Sequence, residues 1–285
     1  LKNHSPAVRG GAKALVVCLF VIAWSAAQAE PDNSALVHSS QPNLTSDYIW
    51  RGSSQAWGKP IVRATPLASD WSGAYAIFFV PNGADRFIPD AALETDSTVG
   101  YKDPAGPVEL DTGSELIVDP VSSYANTSTS PHHGPSAPTW VELLLGATLS
   151  GFNDRLGYIP TKFFGWNKNN SGVGGIFNGK QPSAGLTGAS HGAINVEAFC
   201  TYPLGDCFYL QALADREKIP RSRELNWNCG QVKLDAKLAK AWSLGLTWWI
   251  TSNPEAFRDY GSLTENGQLR TPSRNTAVRS LARQL

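Results

Sequence analysis

At 285 residues and 30.7 kDa the chain can bury one large core or two small ones, and Lys+Arg balances Asp+Glu at 24 each. A formal charge of zero excludes a nucleic-acid binder, which needs a basic face against phosphates, and a weakly charged, aromatic composition excludes disorder. A mean hydropathy of −0.22 is too polar for a bundle of membrane helices, which leaves a soluble all-β or mixed domain, or a membrane β-barrel whose hydrophobicity is hidden in alternation.

The chain opens on Leu1 and contains no Met, which a non-ATG start or a truncated reading frame would explain. Lys2, Arg9 and Lys13 precede an apolar run from Ala14 to Ala27, which ends in Ala27-Gln28-Ala29. A basic start, an apolar run and an A-x-A site read as an export signal over residues 1–29, too short for the roughly 20 residues of a membrane helix. Cys18 follows Val17, not the small residue a lipoprotein site needs. Residues 30–43 read as a periplasmic lead-in and 44–285 as the folded domain.

From there the sequence reads in twos. Val108, Leu110, Thr112, Leu116 and Val118 lie on one face of a strand whose other face carries Glu109, Asp111 and Glu115. Val141, Leu143, Leu145, Ala147 and Leu149 repeat the pattern, as do Ile194, Val196 and Ala198. So do Val232, Leu234, Ala236 and Leu238, and then Trp242, Leu244, Leu246, Trp248 and Ile250. These runs are roughly 9–13 residues long; soluble strands are shorter, and tilted transmembrane strands need about 9–11. The expected fold class is therefore all-β, a transmembrane antiparallel up-and-down barrel.

Connections give a second signal. Short turns are expected near Ser69–Ser72, Asp103-Pro104-Ala105-Gly106, Gly151–Asp154, Pro203–Asp206 and Ala239–Ala241. Longer polar loops are expected at Gly52–Lys59, Pro81–Pro89, Asp119–Pro138, Trp166–Ser190, Pro220–Asn226 and Thr251–Arg274. Long and short alternate, as periplasmic turns and extracellular loops do, and the strands between them number about twelve. Tyr48, Trp50, Trp71, Tyr101, Trp140, Tyr202, Trp242 and Trp248 fall near strand ends, where aromatic girdles sit.

Other local features carry no chemistry. Cys200 and Cys207 flank a turn, so a hairpin disulfide competes with two free thiols, alternation placing them on different faces; Cys229 is left over. Asp111-Thr112-Gly113-Ser114 spells an aspartic-protease motif, but no second copy exists to share the proton. His132-His133 lies in a Ser/Thr/Pro/Gly loop, and Gly172–Gly175 lacks the helix and Lys-Ser/Thr of a phosphate cradle. No catalytic residue, metal site or cofactor is expected.

At Leu44-Thr45-Ser46-Asp47-Tyr48-Ile49-Trp50-Arg51-Gly52-Ser53-Ser54-Gln55, followed by Lys59-Pro60, the chain resembles the TorF-type porins, whose opening strand carries L-T-S-D-Y-x-x-R-G-x-S-Q and then K-P. The motif residues are Leu44, Thr45, Ser46, Asp47, Tyr48, Arg51, Gly52, Ser54 and Gln55. The resemblance runs on through Glu94–Tyr101, Val141-Glu142-Leu143, Phe163–Asn167 and Tyr202–Asp206. It implies a Gram-negative outer-membrane barrel, with membrane lipid, the barrel-assembly machinery and small solutes as partners. Family members usually end in an aromatic residue, whereas this chain ends in Leu285. Arg279 and Arg283 share the parity of Leu281 and Leu285, so the last strand turns its other face outward, or sits low in the membrane, or the end of the reading frame is faulty.

Alternation then assigns the lumen Asp47, Glu94, Asp96, Glu109, Asp111, Glu115, Glu142, Glu197 and Asp235, against Arg51, Arg63, Lys233 and Lys237. The expected function is a porin for small solutes with a weak cation preference, an acidic wall facing Arg51 and Arg63. The alternatives are charges that pair and plug the lumen, a non-conducting barrel that displays loops, and a barrel hydrolase.

Overall fold

The computed structural model describes residues 36–82, 93–118, 139–168, 185–223, 225–238, 241–252, 260–261 and 269–285. The expected signal segment, the loop Asp119–Pro138 with His132-His133, and the Gly172–Gly175 stretch lie outside the described residues.

Twelve antiparallel staves form one sheet among the described residues. They are β1 (Leu36–Ser40 and Asn43–Thr45), β2 (Ile61–Ala64 and Pro66–Asp70), β3 (Ala74–Pro81), β4 (Thr95–Ala105), β5 (Val108–Val118) and β6 (Trp140–Leu149). The second half comprises β7 (Phe152–Ile159), β8 (Ala193–Pro203), β9 (Phe208–Lys218), β10 (Trp227–Lys237), β11 (Trp242–Thr251) and β12 (Thr276–Arg283). Each stave pairs with its chain neighbours, and Leu44 of β1 pairs with Leu281 of β12, so the sheet closes on itself. Closure leaves no strand edge, a requirement in lipid, where no water can satisfy an open backbone. Followed once around the ring, the register advances by about 16 residues. With standard strand rise and spacing, that stagger tilts the strands about 43° and sets a backbone diameter of about 25 Å. Leu36–Ser40, expected as lead-in, pairs with Pro66–Asp70 and belongs to the barrel.

Alternation sorts the two faces. Leu143, Leu145, Val196, Val232, Leu244, Leu246 and Ile250 point outward and are exposed, whereas Glu142, Asn195, Glu217 and Thr247 point inward and are buried. A soluble protein has the opposite polarity, because there apolar surface is driven out of water. An apolar outside around a charged inside is stable only in lipid, so the chain spans a membrane with its strands. Trp71, Tyr101, Phe152, Tyr202, Phe208 and Trp242 are exposed beside the short turns and form a girdle there. On β12, Val278 and Ala282 face inward and Arg279 and Arg283 outward, so the strand does not reverse its faces. The Arg283 guanidinium lies 5.6 Å from the Trp242 ring centroid, at the girdle.

One expected turn shifts, and one open alternative is decided. The turn expected near Asp103-Pro104-Ala105-Gly106 falls at the end of that range, at 106–107, because the register carries Asp103 and Pro104 into β4 opposite Leu110 and Glu109. Cys200 and Cys207 are both free thiols, as is Cys229; Cys200 sits in a strand opposite Ala212 while Cys207 lies in the turn beyond it.

Leu145 is outward-facing and pairs with Thr112 and Leu156 near mid-barrel. Leu145→Arg is expected to cost about 2–4 kcal/mol of stability in lipid, read as a lowered urea midpoint for the barrel in vesicles, while Leu145→Phe is expected to cost little.

Candidate functional site

The motif Leu44–Gln55 does not form an opening strand. Only Leu44 and Thr45 belong to β1; the rest is the loop joining β1 to β2, and that loop folds into the barrel. Its own chemistry shapes it. Ile49–Trp50 pairs with Ser53–Ser54 around Arg51-Gly52, a two-residue hairpin with positive φ at both positions (43° and 78°). Hairpin turns of this kind want Gly, Asn or Asp, so Arg51 is held there at a cost of order 1 kcal/mol or more. Asp47 ties the loop at its base, accepting from Ser54 Oγ at 2.9 Å and Gly58 N at 3.1 Å. Thr45 Oγ1 donates to the Asp47 carbonyl at 2.8 Å, and Gln55 N to the Tyr48 carbonyl at 2.7 Å. Ser46 bonds the β12 backbone at Arg279 in both directions.

The cost at Arg51 is offset across the lumen. Arg51 Nη2 donates to both carboxylate oxygens of Glu142 on β6 at 2.7 Å, and Nη1 donates to Glu217 on β9 at 2.8 Å. Asp215 lies 4.0 Å from Nε. The guanidinium also sits 4.5 Å from the centroid of its neighbour Trp50. Both Glu142 and Glu217 are fully buried, so neither carboxylate has water as an alternative partner. Gly157 on β7 leaves the space that the Glu142 carboxylate fills.

The hairpin's backbone is fastened as well. Trp227 Nε1 donates to the Arg51 carbonyl at 2.8 Å, and Thr251 Oγ1 donates to the Gly52 carbonyl at 2.9 Å. A Cβ on Gly52 would stand 2.5 Å from Cys229 Cβ and 2.6 Å from Thr251 Oγ1, so only glycine seats here.

Above and around the ion pairs is an aromatic cluster. Trp57, Trp140, Phe163, Phe164, Trp166 and Trp227 are buried with Ile117, Ile159, Leu186, Ile219 and Leu225, and Trp50 packs against them. Phe164 meets Trp140 at 4.3 Å and Trp166 at 5.2 Å between centroids. Ser190 Oγ lies within hydrogen-bond distance of the Phe163 and Trp166 carbonyls, bringing the ends of the long loop after β7 into the barrel. Tyr48, Trp50 and Trp140, expected in a girdle, belong to this interior instead; Tyr48 donates to Glu94 at 2.7 Å. Gly52–Lys59 is likewise not an outside loop, since Ala56 and Trp57 are buried.

The half of the lumen beside the short turns is more open. One cavity of about 720 Å³ lies against β2–β7 and another of about 300 Å³ against β8–β12 and β1. The remaining expected lumen residues are placed as follows. Arg63 lies 5.8 Å from the Phe79 centroid, and Glu94 and Asp96 are buried at the head of β4. Lys102 pairs with Glu109 at 2.9 Å, Tyr75 donates to Asp111 at 2.8 Å, and Thr98 donates to Glu115 at 3.4 Å. Arg155 pairs with Glu197 at 3.4 Å, Lys233 with Asp235 at 2.8 Å, and Lys237 donates to the Tyr209 hydroxyl at 2.7 Å. The acidic wall was expected to face Arg51 and Arg63; Arg51 instead pairs with Glu142 and Glu217. Sequence reading missed Asp215, Glu217, Arg155 and Lys102. The signal for Asp215 and Glu217 was their parity with Gln211, obscured by the outward charges Arg216 and Lys218 between and after them.

No protein-family profile and no curated protein matches the chain. Among solved structures, the chain is similar to the KdgM porin (10% identity, 86% of this chain and 97% of that one, TM-score 0.45). It is also similar to the NanC porin (7%, 87% and 98%, TM-score 0.45) and to an outer-membrane channel from Pseudomonas putida F1 (8%, 90% and 100%, TM-score 0.43). At such identities and TM-scores the likeness says nothing of what this chain passes or binds.

Removing Arg51 strands two buried carboxylates. Arg51→Ala is expected to cost about 3–5 kcal/mol in urea unfolding of the detergent-folded barrel. Arg51→Lys is not expected to restore it, because an ammonium cannot fork between two carboxylates. Arg51→Met with Glu142→Gln and Glu217→Gln is expected to recover much of the loss, since it deletes the charges together.

Proposed function

We propose that the chain is a channel for small solutes in the outer membrane of a Gram-negative cell, and that its first loop holds the outer half of the lumen shut. The observation that carries this reading is the Arg51 bridge from that loop to Glu142 and Glu217 on the far staves. A wall-lining loop would not need buried charges to fasten it across the lumen. The motif shared with TorF-type porins supports the same reading, because its polar residues are the ones that fold and tie the loop.

The solvated half below the loop supports a weak preference for cations. Glu109, Asp111 and Glu115 lie on one stave, β5, Asp70 lines the same cavity, and the two cations that line it are engaged by Glu109 and Glu197. Walls of carboxylates concentrate cations, and salt screens the effect over about 8 Å at physiological ionic strength. A second reading, a barrel that never conducts, is favoured by the aromatic cluster, which packs like a protein core.

Planar-bilayer recording separates the two. The wild type is expected to conduct little, and deletion of residues 47–58 or Arg51→Ala is expected to raise open-channel conductance several-fold. Reversal potentials in a salt gradient are expected to show cation preference, reduced when Glu109, Asp111 and Glu115 become amides. Silence in every variant that retains heat-modifiable migration supports the closed scaffold, and anion selectivity contradicts the acidic wall.

A further inference from the structure

The cavity of about 720 Å³ is lined by two chemistries, and Leu144 sits opposite Gly113, between Asp111 and Glu115. Leu67, Ile77, Phe79 and Leu144 give it an apolar surface, and Asp111 and Glu115 project from β5 into the same space. A volume of this size matches sites for small organic ligands, which typically run about 300–1,000 Å³.

The charges around it do not cancel. The four lining carboxylates Asp70, Glu109, Asp111 and Glu115 are in excess over Lys102 and Arg155. Lys102 pairs with Glu109 and Arg155 with Glu197 at 3.4 Å, and among the described residues Asp111 accepts from the Tyr75 hydroxyl and Glu115 from Thr98 at 3.4 Å. A carboxylate has room for about four hydrogen bonds, so both retain acceptor capacity toward the cavity. Tyr75 is held in place by the wall behind it: Gly100 and Gly113 are register partners, and a Cβ on Gly100 would run into the Tyr75 ring. The two glycines let the ring lie against β4 and β5, fixing its hydroxyl on Asp111. Carboxylates beside aromatic and aliphatic surface suit one ligand class, a cation with an apolar body.

We infer that this cavity binds small organic ammonium ions, with the ammonium between Asp111 and Glu115 and the apolar part against Leu67, Ile77, Phe79 and Leu144. This names a solute class for the channel reading and rests on it only for passage. The cavity lies on the short-turn side of the loop, with Trp71, Ser72 and Gly73 at its rim, so binding needs no opening.

The test is calorimetric titration of the detergent-folded wild-type barrel with 2-phenylethylammonium, 2-phenylethanol and phenylacetate. Saturable binding of the ammonium is expected, at least about 10-fold tighter than the alcohol, with no saturable binding of phenylacetate. Asp111→Asn and Glu115→Gln are each expected to weaken it about 10-fold, Leu144→Trp to abolish it by filling the space, and Lys233→Gln to leave it unchanged. Variants are compared only where heat-modifiable migration shows a folded barrel. No saturable binding to the wild type, equal affinity for the alcohol, or undiminished affinity in the Asp111→Asn/Glu115→Gln pair overturns the inference. A barrel that binds the amine yet never conducts keeps this site and removes the channel. One that conducts after Arg51→Ala without binding the amine keeps the channel and removes the site.

Discussion

One guanidinium organises the interior. Arg51 enters the lumen on a hairpin from the β1–β2 connection and is shared between carboxylates on β6 and β9, with Asp215 close by. Carboxylates without water or a cation could not stay ionised there at tolerable cost. Their burial requires Arg51, and its strained backbone is held by them. The aromatic cluster then covers the pairs, and that cover lowers the local dielectric and strengthens them further.

The exterior answers to a different constraint. Lipid demands that every backbone group be bonded and every outward side chain be apolar or able to reach an interface. Closure between β1 and β12 meets the first demand, and strict alternation the second. The two constraints meet in single residues along each stave. On β6, Glu142 holds the loop while Leu143, next to it, faces lipid.

What the sequence disclosed follows from this division. Outward faces were legible because a period of two survives in Val141–Leu149 and Trp242–Ile250 whatever the inside does. The stave count was legible because each turn interrupts that period. The folding of the first loop was not, because Arg51 meets partners 91 and 166 residues away, and no local pattern encodes such a meeting. Tyr48, Trp50 and Trp140 were misplaced for a related reason: an aromatic ring near a strand end suits a headgroup layer and a packed lumen equally well. Parity proposed lumen charges but left out Asp215 and Glu217, and the pairing of those charges depends on register and stagger, which a one-dimensional alternation does not carry. Only the motif around Arg51-Gly52 marked the place where the loop's chemistry is concentrated.

The hairpin's fastenings span most of the chain: Gly52 is bonded by Thr251, 199 residues on, and Arg51 by Trp227, 176 residues on. Contacts of such separation form late, because the entropy of closing the intervening chain is lost before any contact repays it. The seat on β9, β10 and β11 exists only once those staves have joined the ring. Seating of the first loop is therefore tied to the presence of the late staves and not to its own neighbours in the chain. A cylinder still lacking β9, β10 and β11 has no seat for Arg51, so the loop's final position depends on staves encoded far downstream of it.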